Sequence, residues 1–237
     1  MNEQLFTGKS GYYEMSRPKV SQSAVDYLCS IVPPDAVFAD IGAGTGKFTS
    51  LIAERDYAIY AVEPNSEMHM VLKNKLSSYS NVKILNTSAE KTEIPSKSVD
   101  VIVAVTALHW FDLDAFRTEC LRILKPGGFV VAIYNSRKSE IEKKAIVHSE
   151  KTATEIFFGE NCDIVMFPNK QTYSREQFIA YHLSHSSAPN IGDDKYSSYI
   201  KEVNSLFDKN SVNGSYVFDF ISILYIGRSC LVNYLEK

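Results

Sequence analysis

Gly42, Gly44 and Gly46 stand at alternate positions directly after the run Val37–Ile41, whose one acidic member is Asp40. The run reads as a buried parallel strand, and a helical pattern follows from Lys47 to Arg55. Glycines at a strand-to-helix turn accept positive φ and let a ligand approach where a Cβ would stand in the way. Such a turn is also expected to aim the amide N–H groups of the helix start at whatever binds. The chemistry this implies is retention of a nucleotide-like cofactor. Spacing narrows the choice. A dinucleotide fingerprint is G-x-G-x-x-G, whereas this turn is G-x-G-x-G with Lys47 in the third fingerprint position. A phosphate-binding P-loop needs a glycine five residues before its Gly-Lys pair and a Ser or Thr after it. Gly46-Lys47 has Ile41 and Phe48 at those places.

Further chemistry-bearing residues follow each later apolar run. Glu63 closes the run Ala58–Val62. A carboxylate there can accept two hydrogen bonds from a ribose diol, although a solvated strand-end glutamate has the same sequence, and a dinucleotide would use the same residue. Ser88-Ala89-Glu90 follows a third run and could read the edge of an adenine. Met68 could pack on the face of that base, or simply fill the core. The segment from Thr106 to Trp110 follows a fourth run and contains His109. An imidazole can take a proton from an attacking hydroxyl, thiol or amine. It can equally hydrogen-bond an acidic substrate, or wedge the next helix together with Trp110. By this reading His109 is the only histidine near the ligand edge. Near the N-terminus, Tyr13 and Arg17 precede Pro18. The planar fork of Arg17 could pair with a carboxylate, or lie on the surface.

The elements that must position these residues alternate. A helix over 19–32 stops at Pro33-Pro34, and strands follow at 37–41, 58–62, 82–85, 99–105 and 129–134. Ser66 is the expected cap of the helix after Glu63, and Lys125-Pro126-Gly127-Gly128 reads as a tight turn. Alternation at this spacing implies an α/β fold with a right-handed, doubly wound parallel sheet. Its ligand edge collects the glycine turn, Glu63, Ser88–Glu90, Thr106–Trp110 and Asn135. After Asn135 the alternation stops. Residues 138–158 read as an amphipathic helix, Ser174-x-x-Gln177 as a capping box, 193–209 as a helix and 214–226 as a closing strand. The expected organisation is a single domain over 1–237: an N-terminal lid and helix at 1–34, a cofactor-binding core at 35–135, a mainly helical cap or substrate region at 136–212, and a closing strand and C-terminus at 213–237.

Of the 237 residues, 45% are hydrophobic, enough for one such core. A net charge of −3 argues against a nucleic-acid partner. Lys138, Lys143, Lys144 and Lys151 are interleaved with Glu140, Glu142 and Glu150, which reads as a solvated helix face. The polar start Met1–Gly11 has no secretory core, and no run of ~18 apolar residues is long enough to span a membrane. Four dispersed cysteines read as reduced thiols of a cytoplasmic protein, with metal ligation not expected.

Six pieces in order resemble a type-11, class I S-adenosylmethionine (SAM)-dependent methyltransferase: Tyr13-x-x-x-Arg17-Pro18, Asp40-Ile-Gly-Ala-Gly-Thr-Gly46, Val62-Glu63-Pro64-Asn65, Ser88-Ala89-Glu90, Leu108-His109-Trp110-Phe111 and Leu124-Lys125-Pro126-Gly127-Gly128. The lead-in and the His-Trp pair are similar to the subgroup that includes trans-aconitate methyltransferases. His185 stands where that pattern leads one to expect an arginine. The resemblance implies a Rossmann-like seven-stranded sheet, mostly parallel with one antiparallel strand, and a small helical cap. It implies that Gly42, Ala43 and Gly44 hold the methionine moiety, that Glu63 holds the ribose and that Ala89 with Glu90 holds the adenine, with Asp40, Pro64, Met68 and Ser88 also among the cofactor-binding residues. Val105 and Thr106 would lie beside the sulfonium, Tyr13 and Arg17 would close over the cofactor, and His109 and Trp110 would meet the acceptor. The expected activity is methyl transfer to a small molecule through an O-, N- or S-nucleophile, a carboxylate included. Transfer to tRNA or protein and a non-catalytic SAM-binding module are the alternatives. A NAD-dependent reductase is disfavoured by the glycine spacing.

Overall fold

A computed structural model describes residues 8–144, 151–160 and 162–228. Seven strands form one sheet in the order β3-β2-β1-β4-β5-β7-β6. They are β1 (Val37–Ile41), β2 (Ala58–Val62), β3 (Val82–Leu85), β4 (Val99–Val105), β5 (Leu124–Arg137), β6 (Asp163–Tyr173) and β7 (Tyr216–Gly227). The first five run parallel, and β7 runs antiparallel to both β5 and β6. The chain reverses its lateral direction between β3 and β4, so β1 and β4 flank the switch point at which ligands bind in such sheets.

Two apolar layers sandwich the sheet because strand side chains alternate faces. Val101 and Val103 of β4 and Val131 and Ile133 of β5 join Phe38, Val25 and Leu28 of α2 (Gln22–Ser30), and Phe48 and Ile52 of α3 (Lys47–Ala53). Ile102, Ala104, Val130 and Ala132 face the other way, onto Phe116 and Cys120 of α5 (Leu113–Ile123) and Phe157 of α7 (Ala153–Phe158). A third, aromatic cluster ties α8 (Arg175–Leu183) and α9 (Tyr196–Asn210) to β7 through Phe178, Phe207 and Phe218. The Ser174/Gln177 capping box that starts α8 is present as the sequence predicts.

Several local expectations change. Asn65, not Ser66, caps α4 (Ser66–Leu76), its side chain accepting from the N–H groups of Glu67 and Met68. The Lys125–Gly128 turn lies inside β5, where the pairing with β4 shifts register between Val99 and Val101. The strand absorbs the extra residues as an irregularity, with Gly127 at φ 82°. The single helix expected over 138–158 appears as α6 (Lys138–Lys144) and α7, while residues 145–150 lie outside the described part. Strand β6 occupies the sheet edge inside the stretch 136–212 that the sequence marks as mainly helical. No helix among the described residues is long and apolar enough to cross a membrane.

Candidate active site

The glycine turn is shaped by three different demands. All three glycines have positive φ, at 72°, 57° and 78°. A Cβ on Gly42 would stand 2.7 Å from Ala107 Cβ, and one on Gly46 would stand 2.6 Å from Leu72 Cδ1. Gly42 therefore lets the β4 loop close on the turn, and Gly46 lets α4 pack on α3. Gly44 has only the Tyr13 ring nearby, at 3.6 Å from such a Cβ.

Four amides of this turn are taken up within the protein. Gly42 and Ala43 both donate to Val62 O at 2.9 Å, Gly46 donates to Ala43 O, and Gly44 donates to Glu63 Oε2 at 2.8 Å. These four N–H groups are spent inside the protein, and a carboxylate lies against the turn. A diphosphate there would find four of the turn's amides already taken by the protein, and no cradle made of them. Glu63 Oε1 also accepts from Asn65 N at 2.8 Å, which fixes the carboxylate plane at the end of β2.

One cavity of about 340 Å³ opens at the carboxyl ends of the strands. Of the residues expected at the site, Tyr13, Arg17, Gly42, Gly44, Glu63, Pro64 and Met68 line it, as do Ser88, Ala89, Glu90, Val105, Thr106, His109 and Trp110. Asp40 and Ala43 line a smaller pocket of about 60 Å³ that shares Tyr13, Arg17, Gly42, Val105 and Thr106 with the first. Thr106 holds φ 53° while donating its N–H to Ile133 O at 2.8 Å. A β-branched residue in that region stores about 1–3 kcal/mol of strain, here at the cavity wall. Glu90 Oε1 accepts from Asp112 N at 3.0 Å, which ties the β3 loop to the start of α5.

Asp40 is 1% exposed, and burial, its main perturbation, raises its pKa to about 7. The Thr49 hydroxyl, donating to Oδ2 at 2.6 Å, opposes that shift, and the Glu63 charge adds to it. Among the described residues Oδ1 has no partner, and neither do Thr45 Oγ1 and Arg17 Nε, all buried around the smaller pocket. Arg17 Nη2 donates to Ser184 O at 3.1 Å, and the guanidinium lies 5.5 Å from the Tyr13 ring centre and 5.9 Å from that of Tyr181. Lys47, the residue in the third fingerprint position, donates to Arg17 O at 2.7 Å, and burial lowers its pKa to about 8. It anchors the end of α1 (Ser10–Ser16) and plays no phosphate role in this arrangement.

His109 sits on a one-turn 3-10 helix at Leu108–Trp110, its Nδ1 3.4 Å from the Tyr134 hydroxyl. Desolvation, with the Arg17 charge second, lowers its pKa, so the ring is neutral at pH 7. It is not the only histidine of the site. His185, Ser186 and Ser187, in the turn after α8, also line the cavity. No spacing in the sequence links that turn to β1 or β4; only the docking of α8 against α1 brings it there. Asn135 turns out to be an anchor. Its Nδ2 donates to Pro18 O at 3.2 Å, and its Oδ1 accepts from Asn169 and Ser222 at 3.0 and 2.6 Å.

Comparison with known proteins agrees with this geometry. Residues 39–132 match the family described as a methyltransferase domain. An uncharacterized methyltransferase of Mycobacterium tuberculosis is 35% identical over 136 residues, which is 57% of this chain and 54% of the relative. The chain thus spans about half the length of the first curated relatives it matches. A malonyl-[acyl-carrier protein] O-methyltransferase of Marinomonas sp. is 24% identical over 212 residues, 78% of each chain. Among solved structures, one described as a type II methyltransferase from Anaeromyxobacter dehalogenans has a TM-score of 0.63 at 19% identity, covering 90% of this chain and 97% of its own. Residues 39–132 are thus similar to a methyltransferase domain, and the seven-stranded fold is shared with a solved structure described as a methyltransferase.

Proposed function

We propose that this chain transfers the methyl group of SAM to a small-molecule acceptor. The observation that carries this reading is the trio of buried, partnerless polar atoms Asp40 Oδ1, Thr45 Oγ1 and Arg17 Nε around one pocket. Leaving such atoms unmet costs free energy, so they mark where a polar ligand belongs. A carboxylate and a guanidinium together match the ammonium and carboxylate of an amino-acid moiety such as the methionine end of SAM. Glu63 then meets the ribose, and Met68, Ser88, Ala89 and Glu90 meet the adenine. Val105 and Thr106 lie between these two ends of the site.

When bound, SAM supplies a methyl group on a positively charged sulfur. The chain's own task is to align an acceptor and exclude water. The α1 segment does the excluding as a lid, with 35–135 as the cofactor core and parts of 136–212 as the acceptor cap. The Tyr13/Arg17-Pro18 lead-in and the His109-Trp110 pair support a position in the subgroup resembling trans-aconitate methyltransferases. The dispersed cysteines support a cytoplasmic location.

Two predictions follow from the titrating groups. Ammonium binding needs Asp40 ionised, and its pKa is raised to about 7. Affinity for S-adenosylhomocysteine (SAH) should therefore fall as the pH drops below 7, approaching about tenfold per unit, and Asp40→Asn should flatten that slope. In the ligand-free protein the sign is opposite. Between the reference value of 3.8 and about 7, the folded state holds a proton that the unfolded state has lost, so this group's contribution to stability declines as pH rises through that window. Calorimetry across pH 5.5–8.5 reads the binding arm.

His109→Gln distinguishes acceptors. A hydroxyl or ammonium acceptor must lose a proton, and kcat should fall about 10²-fold or more. A carboxylate acceptor is already ionised and should keep most of its rate. The function itself is tested by incubating the protein with methyl-labelled SAM and a panel of small phenols, amines, thiols and acids. Labelled product with matching SAH supports the proposal. Label transferred only to tRNA or protein, or SAM binding with no transfer at all, contradicts it. A second reading, methylation of a carboxyl on a carrier-bound acyl chain, is favoured by the Marinomonas relative, whose match spans 78% of both chains.

A further inference from the structure

The turn after α8 is held in place by charge. The Lys9 ammonium, in a side chain only 3% exposed, donates to the carbonyls of His185, Ser186 and Ala188 at 2.9, 3.3 and 2.7 Å. Arg17 adds its bond to Ser184 O. Hydrogen bonds from a cation are about twice as strong as neutral ones, so four of them make this part of the cavity wall a fixed surface.

The same wall fixes one tautomer. His185 Nδ1 lies 3.3 Å from the carbonyl oxygen of His182. A carbonyl oxygen only accepts, so Nδ1 carries the hydrogen and Nε2 keeps its lone pair. Tyr181 packs edge-on against the ring, with centroids 4.8 Å apart at 87°. Burial and the neighbouring Arg17 charge bring the pKa of His185 down to about 4, so the ring stays neutral at pH 7. The backbone carbonyls of His182 and Tyr181 both bond to the ring and oppose that shift.

Arg17 is the one lysine or arginine among the described residues lining the cavity. The reading above uses its charge on the carboxylate of the cofactor. What remains for the acceptor is two neutral imidazoles, the hydroxyls of Ser186 and Ser187, and the Trp110 ring. An anionic acceptor would be desolvated there without a counter-charge from the protein. A neutral molecule with a donor hydrogen would find the Nε2 lone pair in a fixed position.

We infer that the 185–187 turn is the acceptor-recognition wall, and that His185 Nε2 accepts a hydrogen bond from the acceptor. The methyl acceptor is thereby a neutral molecule with a hydroxyl or N–H group, and not a carboxylate. The inference rests on the SAM-dependent reading above, and its test is built to fail separately. Phenol and benzoate, matched in size, serve as probes against the SAH-saturated protein in saturation-transfer NMR with competition titration. SAH carries no sulfonium, so only the protein's own preference is read. Phenol should bind at least tenfold more tightly than benzoate. His185→Phe keeps the ring stacking and should weaken phenol at least fivefold with SAH affinity unchanged, whereas His185→Gln should restore part of the loss. Benzoate binding as tightly as phenol, phenol binding indifferent to His185→Phe, or no binding of either probe at millimolar concentration would each overturn the inference while leaving SAM dependence standing. Failure of SAH to bind would overturn both.

Discussion

Glu63→Ala is expected to weaken SAH binding by about 10- to 150-fold, the equivalent of about 1.5–3 kcal/mol for hydrogen bonds to a charged acceptor in a dry site. Glu63 is 7% exposed, and its carboxylate is already aligned by the N–H groups of Gly44 and Asn65. A ribose diol would therefore meet a preorganised acceptor, and the loss should fall on affinity. Truncation also strips those two amides of their partner, which loosens the glycine turn and the start of α4. Glu63→Gln separates the effects, since an amide oxygen can still accept while the charge is gone; it should lie between the wild type and the alanine variant. Isothermal calorimetry reads all three proteins. An alanine variant that binds SAH as the wild type does would remove Glu63 from the site.

The largest effect on stability is expected at Gly42. Alanine there keeps φ near 72° and sets its Cβ 2.7 Å from Ala107 Cβ and 3.3 Å from the Phe111 ring. Ala107 is 6% exposed and its Cβ is carried directly by the backbone, so it cannot swing away. Left-handed strain of about 1–2 kcal/mol and overpacking of about 1–3 kcal/mol together give a cost of about 2–5 kcal/mol. For a domain of this size that lowers Tm by roughly 4–20 °C. Gly44→Ala is the control: its Cβ meets nothing closer than the Tyr13 ring at 3.6 Å, so it bears the backbone strain alone. Thermal unfolding of the two variants should differ by at least half of the Gly42 effect. Equal shifts would mean that contact with the β4 loop does not constrain the turn.

These contrasts show where the sequence was legible. Strands β1, β2 and β4 are short, mainly apolar and largely buried, so their apolar runs stand out and their boundaries match. The site residues they carry follow from chain continuity, which is why Glu63 and Thr106 could be placed at one edge. Strand β6 has no such signature. Pro168 falls inside it, and it lies in the stretch 136–212 that reads as mainly helical, yet Asn169 is 7% exposed and bonded to Lys19 O, Asn135 and Ser222. Those partners are distant in sequence and invisible to local periodicity. Asn65 and Ser66 are both good caps one residue apart, and only the geometry of the turn after Glu63 chooses between them. The fate of four glycine-turn amides was not legible, because strand-to-helix turns often present them to a phosphate. Here β2 supplies Val62 O and Glu63 to take them. His185 entered the site by the same long-range route, through Lys9 and the docking of α1 on α8.

The central claim is that this glycine turn serves SAM and not a dinucleotide. Calorimetric titration of the purified chain with SAH and, separately, with NADH tests it most directly. The account predicts saturable SAH binding at one site per chain and no heat from NADH, because the spacing is not a dinucleotide fingerprint and four of the turn's amides are taken by the protein. Saturable NADH binding, or a folded protein that binds neither, would contradict it.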